Sequence, residues 1–391
     1  MIDKVSIGNT DTSVSGHGGR ILNVKVSSSK SFTTPTRPLS VDEIRAKSFL
    51  GYRGELDCHM ATLPLFVGSA TSQSYQKFLK NNGTVKNLED KMQSASDRTC
   101  MIPHFPILQI ASMKEKDTVP LKIAYEMQRT LVDIEYISMP PISEKSDIFK
   151  KMVVDWCESA ERDMNSGVVP QISLNEDPSV LANKLDALIE LSESEYINVV
   201  NLVFATPKDH INQYAQLWER RDKMNFIINC SQVPKGDMTS SQGMVDDYEP
   251  QLMQYGIDSI SRRQNKVSSA FIAKRNMEPP KQNLDDVDNY EIAVHDAAMY
   301  IPGINWRKAD HEINCNCSIC RGNSRKNIID RFAYKDNGDI ESAGLRYFSI
   351  IHDHQSDQIE LEKMKSFIKS NGMIDYMALV EEYNIELSKL I

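Results

Sequence analysis

From Leu121 to Cys230, short apolar, β-branched runs take turns with longer amphipathic stretches, and this rhythm restricts the chain to parallel β/α architectures. The runs Ile21–Val26, Ile134–Met139, Val168–Leu174, Val199–Ala205 and Phe226–Cys230 read as strands. Leu121–Val132, Ile148–Asp163, Pro178–Leu191 and His210–Lys223 carry helical spacing between them. Asp177-Pro178 marks a helix start, an N-cap followed by proline at the first helical position. Units of this kind either remain an open doubly wound sheet or close into an eightfold barrel. At 391 residues the chain has room for a barrel of about 250 residues with additions. The expected fold class is α/β, with length favouring a TIM-type (β/α)8 barrel in residues 1–300 over the open sheet, followed by a C-terminal helical appendage in residues 301–391. The polar stretch Met277–Asn289 reads as a loop or insertion. Ser356 is expected to cap a final helix that Asn371-Gly372 stops.

The appendage earns its own boundary through its cysteines. Of seven, Cys58, Cys100, Cys157 and Cys230 stand apart and read as buried thiols, whereas Cys315, Cys317 and Cys320 crowd into six positions. Three thiolates so close together read as ligands of one metal ion before they read as disulfide partners. A tetrahedral zinc site needs a fourth ligand, and His352 and His354 both stand in place to supply it. A site of three Cys and one His leaves no open position, so the Zn2+ is expected to be structural.

Charge and hydropathy narrow the function classes. The net charge of −9 argues against a protein that coats nucleic acid non-specifically, because such binding rests on neutralising many phosphates. No apolar run approaches the length of a membrane span, and the N-terminus shows no secretory pattern, so a cytoplasmic protein without a membrane partner is expected.

The spacing Cys-x-Cys-x-x-Cys, with a histidine before a terminal helix, resembles the zinc site of tRNA-guanine transglycosylases. Other stretches fall into that family's order: His17-Gly18-Gly19-Arg20, Thr34-Pro35-Thr36-Arg37-Pro38, His104-Phe105-Pro106-Ile107-Leu108-Gln109, Gln171-Ile172-Ser173, Gly256-Ile257-Asp258-Ser259 and His352-Asp353. The last of these makes His352 the fourth zinc ligand by resemblance. The family exchanges a guanine in nucleic acid for a 7-deazaguanine through a covalent aspartyl intermediate. Several details depart from it. His104 stands where the family has an aspartate, the neighbouring glycines are missing, and the nucleophile's place falls to Asp258 in one register and Ser261 in the other. Asp258 is preferred, since a serine replaces a carboxylate poorly in this reaction. These departures, and the long insertion before the histidine, resemble the branch that modifies DNA. A non-catalytic partner subunit also belongs to the superfamily.

The resemblance implies roles that the residue types can support. Asp258 would attack the anomeric carbon, and His104 would carry the proton. Gln171 and Gln109 would bind the substrate base, and a buried amide such as Gln171 demands partners in any case. Arg262, Arg263, Arg321 and Arg325 would meet phosphates of DNA or, alternatively, tRNA. A homodimer or a partner subunit would fit the same scheme. Each residue also has a plainer role, Asp258 as a turn former after Gly256 and the arginines as a solvated face.

Overall fold

The computed structural model describes residues 1–12, 18–27, 30–40, 43, 59–66, 104–129, 135–194, 197–234, 252–262, 317, 321 and 342–379. It is a mixed α/β protein. Strands β1 (Lys4–Thr10), β2 (Arg20–Ser27) and β3 (Lys30–Thr33) form an antiparallel meander. Strands β4 (Ala61–Phe66) and β5 (His104–Gln109) pair in parallel. After helix α1 (Thr118–Arg129), the chain alternates β6 (Tyr136–Met139), α2 (Ser146–Met164), β7 (Gly167–Ser173), α3 (Pro178–Glu193), β8 (Val199–Val203), α4 (Ile211–Arg220) and β9 (Ile227–Val233). Strand β10 (Ser259–Arg262) completes a five-stranded parallel sheet ordered β10-β9-β8-β7-β6, and the long helix α5 (Ser342–Lys369) follows.

The expected strands and helices lie where the alternation put them, with ends displaced by a few residues. Asp177 caps α3 as anticipated, accepting from Ser179 N at 2.8 Å with Pro178 in the first turn. The last helix is the exception, for it begins at Ser342. Ser356 is therefore internal rather than a cap, and both histidines lie within the helix. Asn371, at φ 55°, ends the segment, with Gly372 N donating to Phe367 O at 2.8 Å.

Strand alternation gives the sheet two unlike faces. Val168, Ile172, Val200, Leu202, Ile228, Cys230 and Ile260 point to one side and pack with α2, α3 and α4 in a single apolar core. On the opposite side, buried Val169, Val199 and Ile227 are followed along their strands by buried Gln171, Asn201 and Asn229. Both faces are thus withdrawn from water, as parallel sheets require.

The sheet also continues beyond its edges. Thr36 makes a parallel bridge to Ser259 of β10, and Leu39 makes one to Ala61 of β4. On the other side, Ser138 of β6 donates its hydroxyl to the Pro106 carbonyl of β5. Past the ends of those strands, Met113 bridges Ile142 in parallel. The buried Gln128 side chain of α1 fills the gap in this seam. Its amide donates to Ser138 O at 2.8 Å and accepts from Ser138 N at 2.7 Å, as a neighbouring strand would.

The meander seals the N-terminal end of the parallel strands. Ile2 N donates to the hydroxyl of Tyr136, the first residue of β6, at 2.8 Å, and Asn198, just before β8, donates to Ile2 O at 3.1 Å. Helix α5, about 42 Å long at 1.5 Å per residue, ties the two ends together. Ile368 lies against Gly19 of the meander, while Asp357 reaches Arg262 at the far end of β10.

Candidate functional site

Side chains at one register level on the sheet face opposite α2, α3 and α4 form a continuous row. Gln171, Asn201, Asn229 and Ser259 are Cα partners across β7, β8, β9 and β10, and each is fully buried. Ser259 and Ser261 donate to Asn229 Oδ1 at 2.9 and 3.1 Å. Asn229 donates to Asn201 Oδ1 at 2.8 Å, and Asn201 donates to Gln171 Oε1 at 2.9 Å. Ser261 also reaches Thr62 of β4 at 3.3 Å. The Gln171 amide nitrogen has no partner among the described residues. A buried donor left without an acceptor costs about 1–3 kcal/mol, so this end of the row is energetically unfinished. Gln171 was legible as a polar residue in an apolar strand. Asn201 within Val-Val-Asn-Leu-Val and Asn229 within Ile-Ile-Asn-Cys carry the same signal, and sequence reasoning passed over both.

Asp258 occupies a different place. It precedes β10, at the sealed N-terminal end of the sheet, and is 0% exposed. Arg20 Nε and Nη2 donate to its two oxygens at 3.0 and 2.5 Å, Ile228 N donates at 2.8 Å and the Thr34 hydroxyl at 3.3 Å. The remaining N–H groups of Arg20 go to the carbonyls of Arg221, Met224 and Phe226 at 2.7, 2.7 and 2.9 Å. All five guanidinium donors are therefore used. Burial pushes the Asp258 carboxyl up from its ordinary range, against the pull of Arg20 and the Ile228 and Thr34 donors. Gly256, at φ 85°, makes the turn into this pair, and a Cβ there would meet Arg221 Cβ at 2.9 Å. The preferred nucleophile thus sits in a saturated ion pair closed to solvent. In the other register, Ser261 lies toward the C-terminal end of β10, within the polar row.

Cys317 Sγ lies 3.2 Å from His352 Nδ1, and both residues are buried. Two ligands of one tetrahedral zinc, at about 2.3 and 2.0 Å from it, would stand roughly 3.5 Å apart, so this pair fits such an ion. Arg321 N donates to Cys317 O at 3.0 Å. Cys315 and Cys320 lie outside the described residues, among which no group of three or more His, Cys, Asp or Glu gathers for a metal. His354 instead faces Glu43 at 3.2 Å. Glu43 receives Arg37 at 2.6 Å, Arg37 also pairs with Asp357, and Arg262 Nη2 stands 3.4 Å from Asp357. Burial alone would raise the Glu43 carboxyl, yet Arg37 and His354 together hold it well below the usual carboxylate range. Arg262 is therefore engaged by the terminal helix, whereas Arg321 is exposed.

The other expected site residues divide by position. Gln109 is the last residue of β5 and half-buried, at the strand end where ligands of parallel β/α folds collect. His104 is the first residue of β5, at the opposite end of that strand. Arg263 and Arg325 lie outside the described residues. Cys157 and Cys230 are buried free thiols, as expected, and burial pushes Cys157 up to about 12. A cleft of about 460 Å³ opens where the chain leaves β7, lined by Ser143, Ser173, Asn175, Glu176 and Lys184. Lys184 spans it, donating to Glu176 Oε2 and Ile142 O at 2.5 Å each. No helix among the described residues is long and apolar enough to cross a membrane. Compared with models of known protein families, the chain matches none, and no curated protein sequence matches it either.

Proposed function

We propose that this chain is a zinc-stapled barrel of the guanine-transglycosylase type, which holds a guanine-type base of nucleic acid against the amide row and exchanges it for a 7-deazaguanine. The approach of Cys317 to His352 across 35 positions carries the reading, because it joins the two halves of the metal signature on which the resemblance rests. The strand contacts support it further. Taking Thr36–Leu39 as one segment, each of eight parallel segments meets two neighbours, from β10 through Thr36–Leu39, β4, β5, β6, β7, β8 and β9 back to β10. This order of contacts supports a barrel, whose inner face would present Gln171 to a base taken out of the nucleic-acid stack. Zinc, held by Cys315, Cys317, Cys320 and His352, would fasten α5 to the barrel and take no part in the chemistry. DNA is the preferred substrate and tRNA the alternative, with Arg321 the exposed cation that meets phosphate.

One observation favours a second reading, a catalytically silent subunit that binds nucleic acid or an active relative. With Asp258 saturated by Arg20, the carboxylate needed for a covalent intermediate is not at the surface of the site. The two readings separate in one assay, in which the full chain is incubated with duplex DNA or tRNA and a labelled 7-deazaguanine. Incorporation by the chain alone supports exchange. Incorporation only with a co-encoded relative supports the silent subunit. Label entering neither polymer under either condition would sink both.

A further inference from the structure

We propose that Asp357 is an internal stand-in for a phosphate group, occupying a latent phosphate site that Arg37 and Arg262 form at the C-terminal ends of neighbouring parallel segments. Arg262 is the last residue of β10, and Arg37 follows Thr36, which bridges to Ser259 of the same strand. Ligands of parallel β/α folds collect at these strand ends, and in barrels the loops after the last strands are a recurrent phosphate site. Asp357 comes from elsewhere in the chain, 95 positions beyond Arg262, and helix α5 delivers its carboxylate fully buried. Both arginines converge on that one group. Arg37 pairs with it through Nη1, and Arg262 Nη2 stands 3.5 and 3.4 Å from its two oxygens. A carboxylate and a phosphate look alike to a guanidinium, since each offers oxygens at the spacing of its N–H fork. The fit to Arg262 is loose, because charge-assisted bonds of this kind close to about 2.7–2.9 Å. A phosphate, with more oxygens and more charge, would serve both forks better than one carboxylate does. Glu43 takes the other end of Arg37 at 2.6 Å, with His354 3.2 Å from it, so Arg37 stays anchored when Asp357 leaves. Asp357 is thus the group that a phosphate has to displace, and helix α5 is an autoinhibitory strap across the site. Phosphate binding of this kind does not depend on base exchange.

The test compares the full-length chain with Asp357→Ala, which empties the position, and with Asp357→Asn, which removes the charge and little else. Melting temperature is followed in potassium phosphate and in potassium chloride of equal ionic strength, and a short DNA duplex is titrated in chloride. The wild-type chain sets the baseline, since phosphate stabilises folded proteins in general. It should show no saturable rise, because the tethered carboxylate competes at high effective concentration. Asp357→Ala should melt lower in chloride, where two arginines lose a shared partner, and phosphate should raise it saturably. Its apparent affinity for phosphate should exceed that of the wild type by about 10-fold or more, and fall back when Arg262→Ala is added. If duplex binding tightens as well, and Arg262→Ala reverses it, the phosphate is that of a nucleic-acid backbone. If inorganic phosphate alone responds, the ligand is a free phosphate. Asp357→Asn, gentler to the fold, should show the same gain and serves if the alanine variant does not fold in chloride. Variants that phosphate neither stabilises nor rescues, a gain that survives Arg262→Ala, or equal phosphate binding by the wild type and both variants would each overturn the stand-in.

Discussion

Asp258 and Arg20 show how one residue pair can fix the reading of a whole motif. Both side chains are 0% exposed, and between them they use every guanidinium donor and four acceptances on the carboxylate. Such a pair adds little stability against well-packed apolar residues, but removing one partner strands the other as a buried charge. Asp258→Asn should therefore cost about 3–5 kcal/mol, seen as a lower urea midpoint. The paired replacement Arg20→Met with Asp258→Leu should recover most of that loss. If Asp258→Asn melts like the wild type but abolishes base exchange, the residue is catalytic and the structural assignment is wrong. The sequence made Asp258 visible through Gly256-Ile257-Asp258 and Arg20 through His17-Gly18-Gly19-Arg20, but not that the two pair across 238 positions. Long-range pairs leave no local periodicity. Gln171 was found because an amide interrupts an apolar run, and Asn201 and Asn229 were open to the same argument.

At the scale of elements, the alternation of apolar runs and amphipathic stretches made the strands and helices from α1 to β9 legible, since each hides one face in a common core. The start of α5 was not legible. Its burial is divided between the meander, Cys317 and the Glu43–Arg37–Asp357 network, so no single apolar stripe runs its length. A capping serine at Ser356 was thus mistaken for its beginning. Helix α5 and the turn after it reach both ends of the sheet, with Asp357 near Arg262 at one end and Met373 N donating to Asp11 Oδ2 at 2.8 Å near the other. Metal at Cys317 and His352 would hold its first half, because metal binding contributes folding free energy directly. The purified chain should carry about one zinc per molecule by elemental analysis, given a four-ligand site. Cys317→Ser should lower that content and speed amide hydrogen exchange in 342–357, while β7, β8 and β9 stay protected. A chain without zinc, or one whose α5 exchanges equally slowly in the variant, would contradict the staple.

For the molecule as a whole, the division of labour follows the direction of the strands. The meander and the Arg20–Asp258 pair close one end, the core beneath α2, α3 and α4 gives rigidity, and the polar row lies on the opposite face beyond Val169, Val199 and Ile227. The C-terminal strand ends carry Gln109 and Ser261, where a nucleotide could reach the row. With a net charge of −9, phosphate contact under the proposed function would fall to local cations such as Arg321. Both the active and the silent reading make the same demand on a cell, that a modified base depends on this chain. Mass spectrometry of nucleosides from DNA and from tRNA, prepared with and without the gene, asks for it directly. The account predicts a 7-deazaguanine nucleoside, in DNA by preference, that disappears when the gene is removed. Identical nucleoside profiles in the two strains, for both polymers, would contradict it.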